Sequence, residues 1–569
     1  MLTDVAAEAA PPAGPAPALR VGVMVDALSM TAWEYRVLEE IQRSDFARVA
    51  MVVMNETPPH RTSTWLRLRR RWRHALFAIY QRADYALMKG RVRRDAFARR
   101  DASSLLAEVP MLRVRPVSRG FTDRLADDDL HEIRAADLDV MIRFGFRILR
   151  GDVLDAARHG VWSLHHGCNE RYRGGPAFFW EIFRDDPVSA TVLQVLNDQL
   201  DAGQVIYKSW AATYRFSLFI SRNAAFWKSS DFHLRRLRDL HQRGWAWIAD
   251  QEAARATYDY STPINRYPTN GQMLVFAARL AGRILHQAWT KATTRTQWFL
   301  AIRPRDAADA GGWRTIRPPA DRFWADPHAL STPEQEFLFV EELPFRTGRG
   351  RIAACEIADG MLGPMRPVLE LPIHVSYPFV FEDAGTVYML PETRRAGRIQ
   401  LYRAERLPDR WVPDRVLLDE ISAVDSTIVR HAGRYWLFTC VAVAGEESND
   451  ELRLYHARSL DGPWVEHLQS PVVSDVRRAR PAGALFTDGE TLIRPSQEGG
   501  GTYGRAVLLN AVEELTPTAY RERTVGRIDG GEISGNLGSH TLTRLAAHDV
   551  IDGRARLPRW SSARAGPPQ

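Results

Sequence analysis

The segment S-L-H-H-G-C-N-E-R-Y-R-G-G-P, Ser163 to Pro176, followed by L-D-A-G at Leu200 to Gly203, decides how the first half of this chain is read. It brings a histidine, a tyrosine-arginine-glycine turn and an aspartate into one compact unit. His165 and Asp201 are separated by 201 − 165 = 36 residues, a spacing that fits one strand end and the following loop of an α/β sheet, where ligands usually bind. A carboxylate beside an imidazole orients it and favours its charged form, which suits the pair to proton relay at an acyl-transfer centre.

Upstream, Leu19 to Asp26 and Val49 to Met54 are short apolar runs flanking a helical pattern from Thr31 to Gln42. Asp139 to Phe144 reads as a further strand, Ile148 to Ala157 as a helix, and Gly160 to Leu164 as the strand that delivers His165. This alternation predicts a doubly wound, Rossmann-like α/β domain over residues 19–250. Residues 251–310 read as a helical connector, because Leu274, Ala277, Ala278, Ala281, Leu285 and Trp289 share one side of a helical period across 269–297. The ends, 1–18 and 556–569, read as disordered tails.

Residues 311–555 have the texture of all-β sequence, with short aromatic and β-branched runs broken by Gly, Asp and Pro. Five opening segments recur there: A-D-P-H-A-L at Asp326, S-Y-P-F-V-F at Tyr377, V-D-S-T-I-V at Asp425, R-P-A-G-A-L at Pro481 and G-S-H-T-L-T at His540. Their intervals are 51, 48, 56 and 59 residues. Periods of this length built from short strands predict a five-bladed β-propeller, with a strand near Trp313 to Arg317 closing the ring. The fold class is therefore multidomain, α/β followed by all-β.

A chain of 569 residues exceeds what one hydrophobic core organises. The net charge of +7 arises among 76 cations of which only Lys89, Lys208, Lys228 and Lys291 are lysines, a bias that points to coding preference as readily as to an anionic partner. Cys168, Cys355 and Cys440 are widely spaced, so free thiols, no metal and a cytoplasmic location are expected. The first residues lack a secretory signal's basic start and apolar core, and no apolar run approaches the ~20 residues of a membrane span. Arg61 to Arg100 places Trp65, Leu68, Trp72 and Leu76 at helical spacing among arginines. That face is expected to pack on its own domain, with a peripheral contact to anionic lipid as the second reading.

The first half resembles the folate-dependent formyltransferase family, whose signature is Asn-x-His, a Tyr-Arg-Gly turn and Asp-x-Gly. The resemblance is carried by His165, Tyr172-Arg173-Gly174-Gly175-Pro176, Trp180-Glu181, Thr191 with Gln194, and Leu200 to Ile206. It implies 10-formyltetrahydrofolate as formyl donor, with the pterin held by backbone at Phe144, Gly145, Arg147, Ile148 and Leu149. It further implies His165 as acid/base, Asp201 as its orienter, and Tyr172, Arg173, Gly174 and Gln194 around the substrate. The departure is Ser163, which stands where the family has the Asn that donates to the formyl oxygen. Loss of one such donor costs about 100- to 1000-fold in turnover, and His166 or Asn169 is the expected stand-in.

The second half resembles the propeller of furanosidase-type hydrolases and, more closely, the N-terminal domain of plant glucosamine inositolphosphorylceramide transferases. The matching residues include Ala325-Asp326-Pro327, His374 to Pro378, Pro391-Glu392, Asp425-Ser426-Thr427, Arg480 to Gly483 and Arg494 to Gln497. Polar residues at equivalent blade positions converge on one axis, so Asp326, Glu341, His374, Glu392, Asp425, Arg480, Arg494, Gln497 and His540 are expected to line it. Two readings stay open: internal charge pairing, or a sugar site that binds a polar or anionic glycan or hydrolyses it. The propeller in place of a small β-barrel argues against a tRNA acceptor, and no nucleic-acid partner is expected. The combined expectation is N-formyl transfer to a nucleotide- or lipid-linked amino sugar. The alternative is a glycoside hydrolase or glycosyltransferase-associated propeller beside a formyltransferase domain that only binds ligand.

Overall fold

Thr31 ends its strand and starts a helix by a local exchange: its backbone N–H (2.8 Å) and hydroxyl (2.6 Å) both donate to Glu34. This is one half of a capping box. The helix, α1 (Ala32–Arg43), buries Trp33, Val37, Leu38 and Ile41. In the computed structural model, residues 17–57, 72–199, 202–305, 312–358, 360–442, 449–501 and 503–559 are described. They fall into two compact units. The first holds the chain to Arg184 with Ser189–Ser209 and Ser217–Leu274, and the second holds Asp185–Val188, Trp210–Phe216 and Val275 onward.

The first unit is built on seven strands: β1 (Leu19–Val25), β2 (Ala47–Asn55), β3 (Met111–Val114), β4 (Val140–Arg143), β5 (Val161–His165), β6 (Val188–Val195) and β7 (Gln204–Ala212). Their order in the sheet is β7-β6-β5-β4-β1-β2-β3. β1 runs parallel to β2 and β4, and β6 is antiparallel to β5. Side chains alternate across β1. Val21, Val23 and Val25 join the core containing α1, and Met24 joins the core on the other face with Leu138 and Met141. Both faces are covered, as a doubly wound sheet requires. The order reverses between β1 and β4, and at such a switch point ligands bind beyond the carboxyl ends of the strands.

The expected helix over 148–157 is absent. Ile148–Leu149 instead pairs with Thr122–Arg124, and a short 3₁₀ turn follows at Asp152–Asp155. Gly151 separates the two at φ +76°, a left-handed conformation that a continuing helix cannot contain.

The second unit consists of consecutive antiparallel sheets. Four open on Arg322–Ser331, Ser376–Asp383, Ala423–His431 and Phe486–Asp488. The fifth combines Leu542–Arg544 and His548–Pro558 with Thr294–Pro304 and Arg314–Ile316, so it takes strands from both ends of the all-β region. Thr294–Pro304 pairs with His548–Pro558 along its whole length. The stretch read as a helical connector to residue 310 therefore ends its helix at Thr293, and the all-β region begins before residue 311. The cause is local: T-R-T-Q-W-F-L-A-I is β-branched and aromatic, and Trp298 to Ile302 are buried. The strand near Trp313 to Arg317 does join this closing sheet.

Candidate functional site

In the first three sheets of the second unit the repeat phase appears as one backbone device. Pairing slips between Ala325 and His328, between Ser376 and Phe379, and between Val424 and Thr427. Within each slip one residue sits at positive φ: Asp326 (52°), Tyr377 (44°) and Asp425 (50°). Bulges of this kind re-aim a side chain, and these three meet residues of all five sheets.

Asp326 accepts from the Thr541 hydroxyl at 2.9 Å and the Tyr377 N–H at 3.2 Å, and lies 3.3 Å from His540 Nε2. His540 also pairs with Asp552. Tyr377 Oη accepts from the Gly483 N–H at 2.8 Å and shares a hydrogen bond with Thr427 Oγ1 at 2.9 Å. Asp425 accepts from Arg480 Nε at 2.5 Å, Arg480 Nη2 at 3.2 Å and Gln497 Nε2 at 2.7 Å. Glu392 stands 3.9 Å from Arg480, and Glu341 lies 3.2 Å from His374, whose Nδ1 accepts from the Gly350 N–H. Seven of the nine expected residues thus belong to charge pairs, and an eighth, Gln497, hydrogen-bonds to one of them.

Arg494 is the exception. Its guanidinium is buried against Glu522 of the outer strand Tyr520–Ile528, with Nε to Oε2 and Nη2 to Oε1 both at 2.7 Å. Its expected place beside the sugar is corrected accordingly: its partner is on the rim of the sheet, away from the bulge residues. Asp552 was missed because its repeat, D-V-I-D-G, is the weakest of the five. Asp326, His540 and Asp552 each offer one ligand atom within 4.8 Å of the others, so a small cation would find its donors there, in competition with the imidazole proton.

Burial raises the Asp326 carboxyl to about 7 from 3.8, with nearby Glu341, Asp425 and Asp552 adding to the rise. Burial opposes the charge on His540, yet Asp552 and Asp326 outweigh it and raise the imidazole to about 9 from 6.5. Both groups hold protons longer folded than unfolded, so each makes stability fall with rising pH. The Asp326 contribution is lost between about pH 4 and 7, and the His540 contribution is complete below about pH 6.5 and lost through about pH 9. Melting temperatures of the full chain should decline from pH 7 to 9, where the buried histidines with lowered values are neutral in both states, and His540→Gln should remove that slope. A flat profile in the unsubstituted protein would contradict the assignment.

In the first unit, His165 ends β5 and is buried, with Nε2 donating to the Tyr172 carbonyl at 3.2 Å. Arg173 and Gly174 serve as braces. Arg173 donates to the Tyr260 carbonyl at 2.6 Å, and a Cβ on Gly174 would come within 2.4 Å of the Asn265 carbonyl oxygen. Asp201 lies outside the described residues.

Arg143, Ser163 and Gln194 form a polar row across β4, β5 and β6. Arg143 Nη1 donates to Ser163 Oγ at 3.1 Å, and Gln194 is the direct cross-strand partner of Ser163. Gln194 is 2 % exposed, and its side-chain oxygen has no hydrogen-bond partner. Directly opposed residues have Cβ atoms about 5 Å apart, well within reach of a glutamine amide. His166, offered as a stand-in for the lost amide, is ruled out by its surroundings. Its ring stacks on Phe226 at 3.6 Å and bonds to Ser229 at 3.0 Å, and burial holds it neutral. Asn169 keeps an unpartnered Oδ1, as does His233 at both ring nitrogens, and burial lowers His233 to about 3. Native interiors rarely leave such groups unpaired.

The backbone expected to hold a pterin fits that use at one point. Phe144, Gly145, Phe146 and Arg147 spend their N–H groups on Met24, Asp26 and Asp123. Ile148 and Arg150 donate to Phe121 and Asp123, so strand alternation turns the Leu149 peptide to the opposite side. Leu149 therefore offers an edge N–H and C=O, the complement of a planar amide. Arg143, missed in sequence because it interrupts the apolar run V-M-I-R-F, ties down the carbonyls of Phe146 and Arg147 at 3.1 and 2.9 Å.

Comparison with known proteins finds a likeness for each half. Residues 315–531 match the family described as "Glucosamine inositolphosphorylceramide transferase 1, N-terminal". The rice protein of that name (Oryza sativa subsp. japonica) is 37% identical over 205 residues, covering 35% of this chain and 27% of the relative. In the first half, a methionyl-tRNA formyltransferase of Fusobacterium nucleatum is 31% identical over 86 residues, covering 15% of this chain and 27% of the relative. This chain thus matches about a quarter of the length of either relative. Among solved structures, glycinamide ribonucleotide transformylase 1 from Symbiobacterium toebii aligns at 14% identity and TM-score 0.27, covering 40% of this chain and 88% of that one. A thermostable family-43 glycoside hydrolase aligns at 13% and 0.28, covering 36% and 76%. The chain joins a formyltransferase-like unit to a unit similar to the glucosamine inositolphosphorylceramide transferase N-terminal domain.

Proposed function

We propose that the first unit transfers a formyl group from 10-formyltetrahydrofolate to the amine of a sugar, and that the second unit, its five sheets read as propeller blades, holds the saccharide. The observation that carries this reading is buried Gln194, the direct cross-strand partner of Ser163, whose side-chain oxygen has no partner. When bound, the folate supplies the formyl carbon as electrophile. The Nε2 N–H of Gln194 would donate to the formyl oxygen, taking up the role of the lost Asn. Ser163 adds a second donor. Its oxygen accepts from the Arg143 cation, which polarises the hydroxyl and leaves its proton to donate elsewhere. His165 would take the proton that the attacking amine sheds and return it to the folate nitrogen as its bond to the formyl carbon breaks, with Asp201 as the proposed orienter of the imidazole.

The propeller residues support holding over cleavage. Asp326 and Asp425 each take three hydrogen-bond or ion-pair contacts from their own chain, which leaves little capacity for a nucleophilic water. Arg480 and His540 are likewise spent on carboxylates, so a neutral or amine-bearing sugar suits the cluster better than the anionic glycan expected from sequence. The test is transfer of labelled formate from 10-formyltetrahydrofolate to a panel of free, nucleotide-linked and lipid-linked amino sugars. Gln194→Leu should lower the rate about 100-fold, and Ser163→Asn in that background should restore part of it. No transfer by the unsubstituted protein to any acceptor would end the proposal.

A further inference from the structure

The helix Asn270–Thr293, α2 here, exposes the side that its sequence marks as apolar. Met273 and Phe276 are buried at 4% and 1%, whereas Leu274, Leu285 and Trp289 are 65%, 69% and 70% exposed. With Ala278, Ala281 and Ala288, also exposed, they form an uncharged stripe along a helix of 24 residues, about 36 Å long. A globular helix ordinarily turns such a stripe inward, and an exposed contiguous apolar patch marks an interaction surface.

The charges flanking the stripe identify its partner. The helix carries Arg279, Arg283 and Lys291 and contains no Asp or Glu. Arg283 faces inward to Asp185 at 3.3 Å, while Arg279 and Lys291 are exposed beside the stripe. At its start, Asn270 donates to the Trp72 carbonyl at 2.6 Å and accepts from the Leu76 N–H at 3.1 Å. That contact sets the 68%-exposed Trp72 and its neighbour Arg73 at the same end. From Trp72 to Arg94 the only acid is Asp84, which is buried and bonded to the Phe219 N–H. Among the described residues no helix is long and apolar enough to cross a membrane. Aromatic and leucine side chains between cations, without acids, are the composition of a helix lying in the plane of an anionic interface.

We infer that α2 docks this protein onto an anionic lipid surface, inserting Leu274, Leu285 and Trp289 while Arg279 and Lys291 meet the headgroups. Interfacial docking would bring the chain to a lipid-linked acceptor, but it does not depend on formyl transfer. The test is co-sedimentation of the full chain with vesicles of phosphatidylcholine alone and with about one-third phosphatidylglycerol. Binding is expected with the anionic vesicles, weakened by high salt, and Leu285→Glu or Trp289→Glu should each lower partitioning at least about tenfold. Both sites are exposed, so unchanged melting temperatures are expected for the variants. Failure of the unsubstituted protein to sediment with anionic vesicles would overturn the inference, as would variants that bind equally well. A concentration-dependent dimer in solution that these substitutions dissociate would assign the stripe to a second copy of the chain instead.

Discussion

Replacing His165 by alanine is expected to slow formyl transfer by about 100- to 10,000-fold, the range lost with a positioned general acid/base. The imidazole sits at the carboxyl end of β5, beside the sheet's switch point, and its ring nitrogen bonds to the Tyr172 carbonyl. A hydrogen bond typically contributes about 1 kcal/mol to stability, which is small beside a loss of two to four decades in rate. The informative measurement pairs the two readouts. A large fall in rate with a melting temperature within a few degrees of the parent's identifies a chemical role. A rate within threefold of the parent's would remove His165 from the mechanism and leave the first unit as a binding domain. On the proposed role of Asp201 as orienter of His165, Asp201→Asn should follow His165→Ala in direction.

The second large effect is structural and concerns Arg494 and Glu522, whose side chains are 1% and 2% exposed. Two parallel bonds join them. Glu522 also accepts from the Tyr520 hydroxyl at 2.6 Å, and Arg494 donates to the Arg478 carbonyl at 2.8 Å. Burial works against ionised Glu522, but Arg494 more than compensates and holds its carboxyl below the usual range. Removing one partner strands the other charge in an apolar interior at a cost of about 3 to 5 kcal/mol. Arg494→Met and Glu522→Gln should each produce a large drop in the denaturant midpoint. The double variant Arg494→Met, Glu522→Leu should recover much of it, since replacing a buried pair by packed apolar groups is often neutral. Equal, additive losses in the double variant would show that the pair contributes no mutual interaction.

Much of the architecture was legible in the sequence. The β1, β2, β4 and β5 strands announce themselves as short apolar runs, and α1 by its helical pattern from Thr31. The repeat interval around Asp326, Tyr377 and Asp425 located three bulges at positive φ, because the same backbone deformation is needed wherever a sheet opens toward shared neighbours. Three misreadings have physical causes. Thr294–Pro304 followed a long helical pattern, and only pairing with His548–Pro558, some 250 residues away, makes it a strand. The 148–157 helix failed at Gly151. Arg494 shares its motif with Gln497, yet the strand carries the two side chains to different partners.

The sequence by itself determined the two-part organisation, the strand that presents His165 and the phase of the β repeats, since these follow from hydrophobic period and local turn chemistry. Tertiary structure alone decided which polar groups cooperate. Gln194 meets Ser163 only through the antiparallel register of β5 and β6, His166 is withdrawn into an aromatic core, and Arg480 and His540 are consumed by carboxylates distant in the chain or across a strand pair. Burial and partnership are properties of the packed chain, and residue type does not reveal them. The same holds for the apolar stripe of α2: its period is written in the sequence, but whether it faces a core or water depends on what the rest of the fold packs against it.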